Sequence, residues 1–135
     1  MPSNNNRKQA VVAIIRKSGK FLLVRRSDYV ENAKGYWCPV SGRIENGETQ
    51  EQALRREVME EVGLDVVAEE KVCEIPSHDN KFTLNFWTAK IISGEAKISS
   101  NEVGDIRWVT IEEMENLSPI FEEDLQIFKK QANLK

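Results

Sequence analysis

A helical segment with recognisable signals at both ends is the strongest constraint on this chain. Residues Gln50–Val62 contain neither glycine nor proline, and Gly63 follows them as a residue suited to ending a helix. Thr49 is a typical N-cap, and Gln52 stands three residues further on, where a capping box needs its second polar side chain. The sequence therefore predicts one well-defined helix over Gln50–Val62.

Strand patterns lie on both sides of this helix. Apolar or alternating runs predict strands over Gln9–Arg16, Phe21–Arg25, Val66–Pro76, Lys81–Ile92 and Asp105–Val109. The turn signal Lys-Ser-Gly-Lys between the first two strands predicts a hairpin. Two further helical segments are predicted, a short turn over Ile111–Glu115 and a final helix from Pro119 to about Ala132. This order is typical of an α+β fold with a mixed or antiparallel sheet and helices packed on it.

The composition limits the classes of protein that remain. The chain has 135 residues, which predicts a single domain over residues 1–135, with residues 1–7 as a frayed, polar N-terminus. No apolar run approaches the ~18 residues of a membrane span, and no signal peptide is evident, so we expect a cytoplasmic protein with no membrane partner. The net charge of −3 argues against a non-specific nucleic-acid binder.

Three glutamates share one side of the predicted helix. At 100° per residue, Glu57, Glu60 and Glu61 fall within a sector of about 100°, at the edge of the aliphatic stripe that faces the core. Like charges at these spacings repel each other, and a hard cation such as Mg²⁺ or Mn²⁺ would offset the repulsion. From the helix alone, a solvated acidic face neutralised by Arg55 and Arg56 explains the pattern equally well.

The residues that precede the helix extend the pattern. From Gly42 the sequence reads GRIENGETQEQALRREVMEEVGL, which satisfies every specified position of G-x5-E-x7-R-E-U-x-E-E-x-G-U, where U is a bulky aliphatic residue. The matching residues are Gly42, Glu48, Arg56, Glu57, Val58, Glu60, Glu61, Gly63 and Leu64. This is the Nudix signature, so the chain resembles the Nudix hydrolases, which include the MutT-like proteins. The order of the predicted strands is similar to that of the family over nearly the whole chain.

The resemblance implies a fold and a reaction. The fold would be an α/β/α sandwich around a mixed β-sheet. The reaction would be hydrolysis of a pyrophosphate bond in a nucleoside diphosphate linked to another group, by attack of water at phosphorus. The expected cofactor is Mg²⁺, with Mn²⁺ possible, because a divalent ion neutralises phosphate charge and makes bound water a better nucleophile.

The resemblance also assigns roles to the signature residues. Metal ligands would be Glu57, Glu60, Glu61 and the carbonyl group of Gly42, where the missing Cβ lets the backbone approach an ion. Arg56 and Glu48 would orient these carboxylates.

The candidate catalytic residues are Glu57, Arg56, Glu60 and Glu102. Glu102 stands in the loop before a predicted strand, where relatives often carry a metal-binding or basic glutamate. Asp105 is the alternative to Glu102, and the sequence leaves open which carboxylate is the general base.

The signature predicts the type of reaction but does not identify the leaving group. Candidate substrate-binding residues are Arg25 and Arg43, which could contact phosphate, and Tyr36 and Trp37, which could stack on a ring. A solvated arginine or a core aromatic residue is the alternative at each position.

We expect a small nucleotide-like substrate, with a nucleoside or deoxynucleoside triphosphate favoured. Dihydroneopterin triphosphate and dinucleoside polyphosphates are the alternatives, and a nucleotide-sensing binding module is the alternative without catalysis. The sequence leaves monomer and homodimer equally open.

Overall fold

The computed structural model describes residues 7–134, so the predicted fraying concerns residues that lie, except for Arg7, outside the described part. Within this part the chain forms seven strands and three helices. The strands are β1 Lys8–Lys17, β2 Lys20–Arg26, β3 Trp37–Cys38, β4 Val40–Arg43, β5 Asp65–Pro76, β6 Phe82–Ser93 and β7 Val103–Val109. The helices are α1 Gln50–Val62, α2 Ile111–Glu115 and α3 Glu122–Ala132.

The strands form one mixed sheet. Its main order is β3-β2-β1-β6-β5, with β4 added beside β1 and β7 added beside β2. Strands β1 and β6 are parallel, whereas β1 and β2 form the predicted antiparallel hairpin. The mixed sheet therefore agrees with the predicted α+β class.

Helices cover both faces of the sheet and create two cores. One core packs Leu54, Val58 and Val62 of α1 against the sheet. The other packs Met114 of α2 and Phe128 of α3 against the opposite face. This arrangement confirms the predicted α/β/α sandwich, because each face of an apolar sheet needs a cover. None of the helices in residues 7–134 is long and apolar enough to cross a membrane.

Helix α1 has the predicted bounds and the predicted caps. The hydroxyl group of Thr49 accepts a hydrogen bond from the Gln52 amide, and the Gln52 side chain accepts one from the Thr49 amide. Gly63 adopts a left-handed backbone with φ of 70°, which costs a glycine little. These local contacts fix where the helix begins and ends.

The last helix begins later than the sequence pattern predicts. Pro119 was expected near its N-terminus, yet α3 starts at Glu122. The Pro119 carbonyl group accepts a hydrogen bond from the Trp37 amide, and Ile120 forms a parallel bridge with Trp37. The residues from 119 to 120 therefore extend the sheet beside β3, and this pairing excludes helical geometry there.

Candidate active site

One cleft is lined by five of the eleven predicted site residues. Its volume is about 880 Å³. At one end, which we call the carboxylate end, it is lined by Gly42 and Arg43 of β4, Arg56 and Glu57 of α1, and Glu102. The cleft therefore joins the signature segment to a loop that lies about forty residues further along the chain.

Arg56 is the centre of a hydrogen-bond network at the carboxylate end. Its Nε and Nη2 atoms donate to the two carboxylate oxygens of Glu48, at 2.6 and 2.9 Å. Its Nη1 atom donates to Glu57 and to Glu60, each at 3.0 Å, and Nη2 also donates to the Arg43 carbonyl group at 3.0 Å. One guanidinium group thus orients three carboxylates and ties α1 to β4.

The same contacts set the charge of Glu48. Hydrogen bonds from Arg56, with a smaller contribution from the one that the Glu45 amide donates, lower the pKa of Glu48 to about 2. Glu48 is therefore an ionised acceptor that holds Arg56, which matches the orienting role that the resemblance implies.

The three helix glutamates differ in burial. The Glu60 side chain is 49% exposed and the Glu57 side chain 17%, whereas Glu61 is only 8% exposed. Burial raises the pKa of Glu57, and burial together with the charges of Glu57 and Glu102 raises the pKa of Glu61 to about 9. A buried carboxyl group and a half-buried one thus lie together with too little positive charge to balance them.

Glu102 belongs to this group of acids, and Asp105 does not. The charge of Glu102 raises the pKa of both Glu57 and Glu61, so its carboxylate lies close to theirs. Asp105 pairs with Arg25 across β2 and β7 and accepts a hydrogen bond from the Ile106 amide. It does not line the cleft.

Gly42 lies directly against the Glu57 side chain. A Cβ atom at this position would overlap the Glu57 carboxylate, so the close approach depends on glycine. Any larger residue at position 42 would displace the Glu57 carboxylate from its place beside β4.

These residues fit a hard divalent cation by their chemistry. In residues 7–134 no three His, Cys, Asp or Glu side chains converge closely enough to hold an ion as they stand. The candidate ligand atoms, from Glu57, Glu60, Glu61 and the Gly42 carbonyl group, are nevertheless all oxygen, and burial together with neighbouring negative charge raises the pKa of Glu57 and of Glu61. Oxygen ligands and excess negative charge are what Mg²⁺ and Mn²⁺ prefer in proteins.

The two neighbouring arginines of β2 lie in different cavities. Arg25 lines a separate cavity of about 310 Å³, which Asn101 and Gly104 also line. Arg26, which the sequence pattern did not single out, lines the cleft, and its charge opposes the rise in the Glu61 pKa. Strand alternation could have identified Arg26. Residues 22, 24 and 26 lie on the same face of β2, and Leu22 and Val24 pack in the core beneath α1.

The predicted aromatic residues also lie away from the cleft wall. Trp37 is buried in the core beneath α3, where the Arg107 guanidinium lies 5.0 Å from its ring. Tyr36 stacks on Phe121 with ring centroids 4.5 Å apart, and only Phe121 of this pair lines the cleft. Neither Trp37 nor Tyr36 is among the lining residues.

One predicted substrate contact, Arg43, does reach the cleft. Arg43 lies 5.4 Å from the ring centre of Phe82, and both side chains line the cleft. Lys81 lines it as well. Together with Arg26, these residues put positive charge and an aromatic surface along the path that leads away from the carboxylate end.

Family comparisons agree with this geometry. A family model described as NUDIX domain matches residues 5–131. An uncharacterized Nudix hydrolase of Listeria monocytogenes is 30% identical over 109 residues, which cover 78% of this chain and 64% of that protein. The NAD-capped RNA hydrolase NudC of Salmonella typhi is 31% identical over 109 residues, which cover 81% of this chain and 41% of that protein. The chain thus spans less than two thirds of the length of these relatives.

Solved structures share the fold. A MutT protein from Methanosarcina mazei superposes with a TM-score of 0.81 at 24% identity, over 95% of this chain and 96% of that chain. With the family model matched over nearly the whole described part and the signature complete, the chain belongs to the NUDIX domain family.

Proposed function

We propose that this chain hydrolyses a pyrophosphate bond in a nucleoside diphosphate linked to another group, with a nucleoside or deoxynucleoside triphosphate as substrate. One observation carries the proposal. Glu57 and Glu102 line one end of a cleft whose walls also carry Arg26 and Arg43, and the buried Glu61 lies close to both acids. Acids for a cation and arginines for phosphate are what a pyrophosphate substrate needs along one path.

A divalent cation would be held by Glu57, Glu60, Glu61 and the Gly42 carbonyl group. When bound, such an ion neutralises phosphate charge and increases the acidity of water. We name Mg²⁺ as the expected ion and Mn²⁺ as a substitute, because both prefer oxygen ligands.

The protein's own side chains would do the remaining work. Arg56 keeps Glu57 and Glu60 in position through its shared Nη1 donor. Arg43 and Arg26 would donate to phosphate oxygens and so align the substrate along the cleft. Glu102 would accept the proton of the attacking water, since it is the acid that joins the group from outside α1.

Substitution of Glu57 tests the proposal. Glu57→Gln keeps the size of the side chain and removes its charge, so we expect turnover with Mg²⁺ to fall by about 10²–10⁴-fold. The matched control is Glu51→Gln, which changes an exposed acid of the same helix outside the cleft. The panel should contain dNTPs, NTPs, dihydroneopterin triphosphate and a dinucleoside tetraphosphate, and circular dichroism should show that both variants keep the fold.

Three outcomes separate the alternatives. Loss of turnover in Glu57→Gln alone supports the proposed reaction. Native turnover in Glu57→Gln contradicts the site assignment. No hydrolysis of any compound by the native protein, although the compounds bind, would favour the nucleotide-sensing module instead.

A further inference from the structure

Ser27 is a buried residue that the proposed chemistry does not use. It follows β2 directly, is only 8% exposed, and does not line the cleft. Its hydroxyl group donates a hydrogen bond to the Asn101 carbonyl group at 2.6 Å, and its amide donates one to the Glu102 carbonyl group at 2.9 Å. One residue thus holds two successive peptide groups, and the second belongs to the acid that joins the carboxylate end from outside α1.

The Ser27 hydroxyl group has a defined orientation. It accepts a hydrogen bond from the Tyr29 amide at 3.2 Å while it donates to the Asn101 carbonyl group. A hydroxyl group has a single hydrogen to donate, and the distance of 2.6 Å is that of a well-formed O–H···O bond. The turn after β2 therefore directs the hydroxyl group toward Asn101.

The segment that carries Glu102, residues 97–102, is a loop between α1 and β7. On the side of α1, the Ser99 amide donates to the Glu61 carbonyl group at 3.0 Å. On the side of the sheet, the segment meets Ser27. Among the hydrogen bonds of residues 7–134, the Ser27 hydroxyl group is the only side-chain group from outside the segment that bonds to it.

The register of the sheet brings Glu102 to Ser27. The pairing of β2 with β7 shifts between Arg25 and Arg26, where β7 contains the extra residue Gly104. Because side chains alternate along a strand, an extra residue reverses the faces on which the side chains beyond it lie. The shifted register places the Glu102 carbonyl group at the Ser27 amide, and the Glu102 side chain lines the cleft.

Glu102 needs such support because its neighbours repel it. Burial is the main cause of the raised pKa values of Glu57 and Glu61, and the nearby charge of Glu102 adds to both. A carboxylate in this position accepts a proton from water only within hydrogen-bond reach, and a displacement of about 1 Å can cost about 100-fold in rate. The hydrogen bonds at the backbone of the segment oppose this displacement.

We propose that Ser27 is a positioning residue, which holds the Asn101 and Glu102 peptide groups so that the Glu102 carboxylate stays beside Glu57 and Glu61. The inference rests on the proposed function, in which Glu102 accepts the proton of the attacking water, and it adds a residue that acts through Glu102 without touching substrate. The contact of the Ser27 amide does not depend on the side chain, so side-chain variants test the hydroxyl group alone.

Ser27→Ala removes the hydroxyl group and keeps the amide. We expect kcat for a deoxynucleoside triphosphate to fall by about tenfold, which is part of the 10²–10⁴-fold effect of a general base. KM should stay within about threefold of its native value, because Ser27 does not line the cleft. Native kcat in Ser27→Ala would overturn the inference.

A double variant shows whether Ser27 acts through Glu102. In the Glu102→Gln background, Ser27→Ala should change kcat by less than about threefold, because the group that it positions is already lost. A tenfold loss in both backgrounds would overturn the inference, since Ser27 would then act independently of Glu102. Native kcat in Glu102→Gln would also overturn it, whereas Glu57→Gln tests the rest of the proposed function separately.

Ser99→Ala is the matched control. It removes an exposed hydroxyl group from the same segment and keeps the amide that bonds to Glu61. That hydroxyl group donates within the segment, to the Lys97 carbonyl group at 3.4 Å. We expect native kcat, and circular dichroism should show that both serine variants keep the fold. An equal loss of kcat in the two variants would overturn the inference.

Hydrogen exchange measured by NMR separates this inference from the proposed reaction. The amides of Glu102 and Val103 bond within the segment, to Ser100. In Ser27→Ala they should exchange at least about tenfold faster than in the native protein, because the segment opens more often, and in Ser99→Ala at native rates. Faster exchange without hydrolysis of any compound by the native protein would support the hold of Ser27 on Glu102 and contradict the proposed function. Hydrolysis together with native exchange rates in Ser27→Ala would support the proposed function and overturn the inference.

Discussion

Two parts of the cleft treat buried acids in opposite ways. At the carboxylate end, Arg56 donates hydrogen bonds to Glu48, Glu57 and Glu60, so these three acids share one positive partner. Asp124, in the first turn of α3 and also on the cleft wall, is only 8% exposed and has no such partner among the described residues. The comparison teaches that the acids around Arg56 are held in place before any ligand arrives, whereas Asp124 is buried without support.

The largest expected effect concerns Asp124, the acid without a positive partner among the described residues. The folded-state pKa of Asp124, about 7, exceeds the ordinary value of 3.8 expected for the unfolded chain. Ionisation therefore opposes folding: the contribution of Asp124 to stability is intact below about pH 4 and is lost as pH rises through about 7. A shift of this size corresponds to roughly 4 kcal/mol.

Asp124→Asn removes this ionisation and should be the more stable protein at pH 8. We expect its free energy of unfolding to exceed that of the native protein by up to roughly 4 kcal/mol at pH 8 and by little at pH 4. Urea denaturation at both pH values measures the difference, with Glu122→Gln as control. Equal gains at both pH values would mean that the ionisation of Asp124 is not responsible.

Substitution of Arg56 at the carboxylate end should lower activity. Arg56→Gln leaves Glu48, Glu57 and Glu60 without their shared donor, so we expect kcat to fall by about 100-fold, or about 2.7 kcal/mol. Arg55→Gln is the matched control, because Arg55 pairs with Asp65 at 2.8 Å outside the cleft. Arg56→Lys should recover only part of the loss, since an ammonium group cannot reproduce the two-pronged contact with Glu48.

A purely structural role of Arg56 would give a different result. The variant would then unfold more easily, while the properly folded fraction kept its native kcat. Active-site titration alongside the denaturation curve distinguishes the two cases.

The smallest expected effect concerns the two adjacent arginines of β2, Arg25 and Arg26. Arg26→Gln should raise KM for a triphosphate by about tenfold, or about 1.4 kcal/mol, because the lost charge faces the cleft. Arg25→Gln should change KM little, because Arg25 lines the separate cavity. Steady-state kinetics on both variants checks the pair, and the reverse order would mean that the substrate occupies the smaller cavity.

Local interactions explain what could be predicted from the sequence. The bounds of α1 follow from the Thr49 and Gln52 capping box and from Gly63, all of which act within a few residues. The spacing of the helix glutamates likewise follows from the helical repeat. These predictions are confirmed by the structure, and the family is confirmed by the match to the family model. No distant part of the chain is needed to make any of them.

Predictions that depended on distant partners were less accurate. Helix α3 starts at Glu122 instead of near Pro119, because Trp37 pairs with the residues in between. Trp37 itself packs in the core beneath α3 and not on the cleft wall. The roles of Glu102 and of the substrate-binding residues stay predictions that the proposed variants can test.

The sequence by itself determined the signature helix, its caps, the sector of its glutamates and the family, because short-range hydrogen bonds and periodicity decide them. Only the tertiary structure decided which acids and arginines share the cleft. Glu102 and Asp124 come to the cleft from segments that lie far from α1 in the chain. The register of the sheet turns Arg26, and not Arg25, toward the cleft. The physical reason is that a side chain's neighbours depend on strand pairing and helix docking, and these join residues that no local pattern connects.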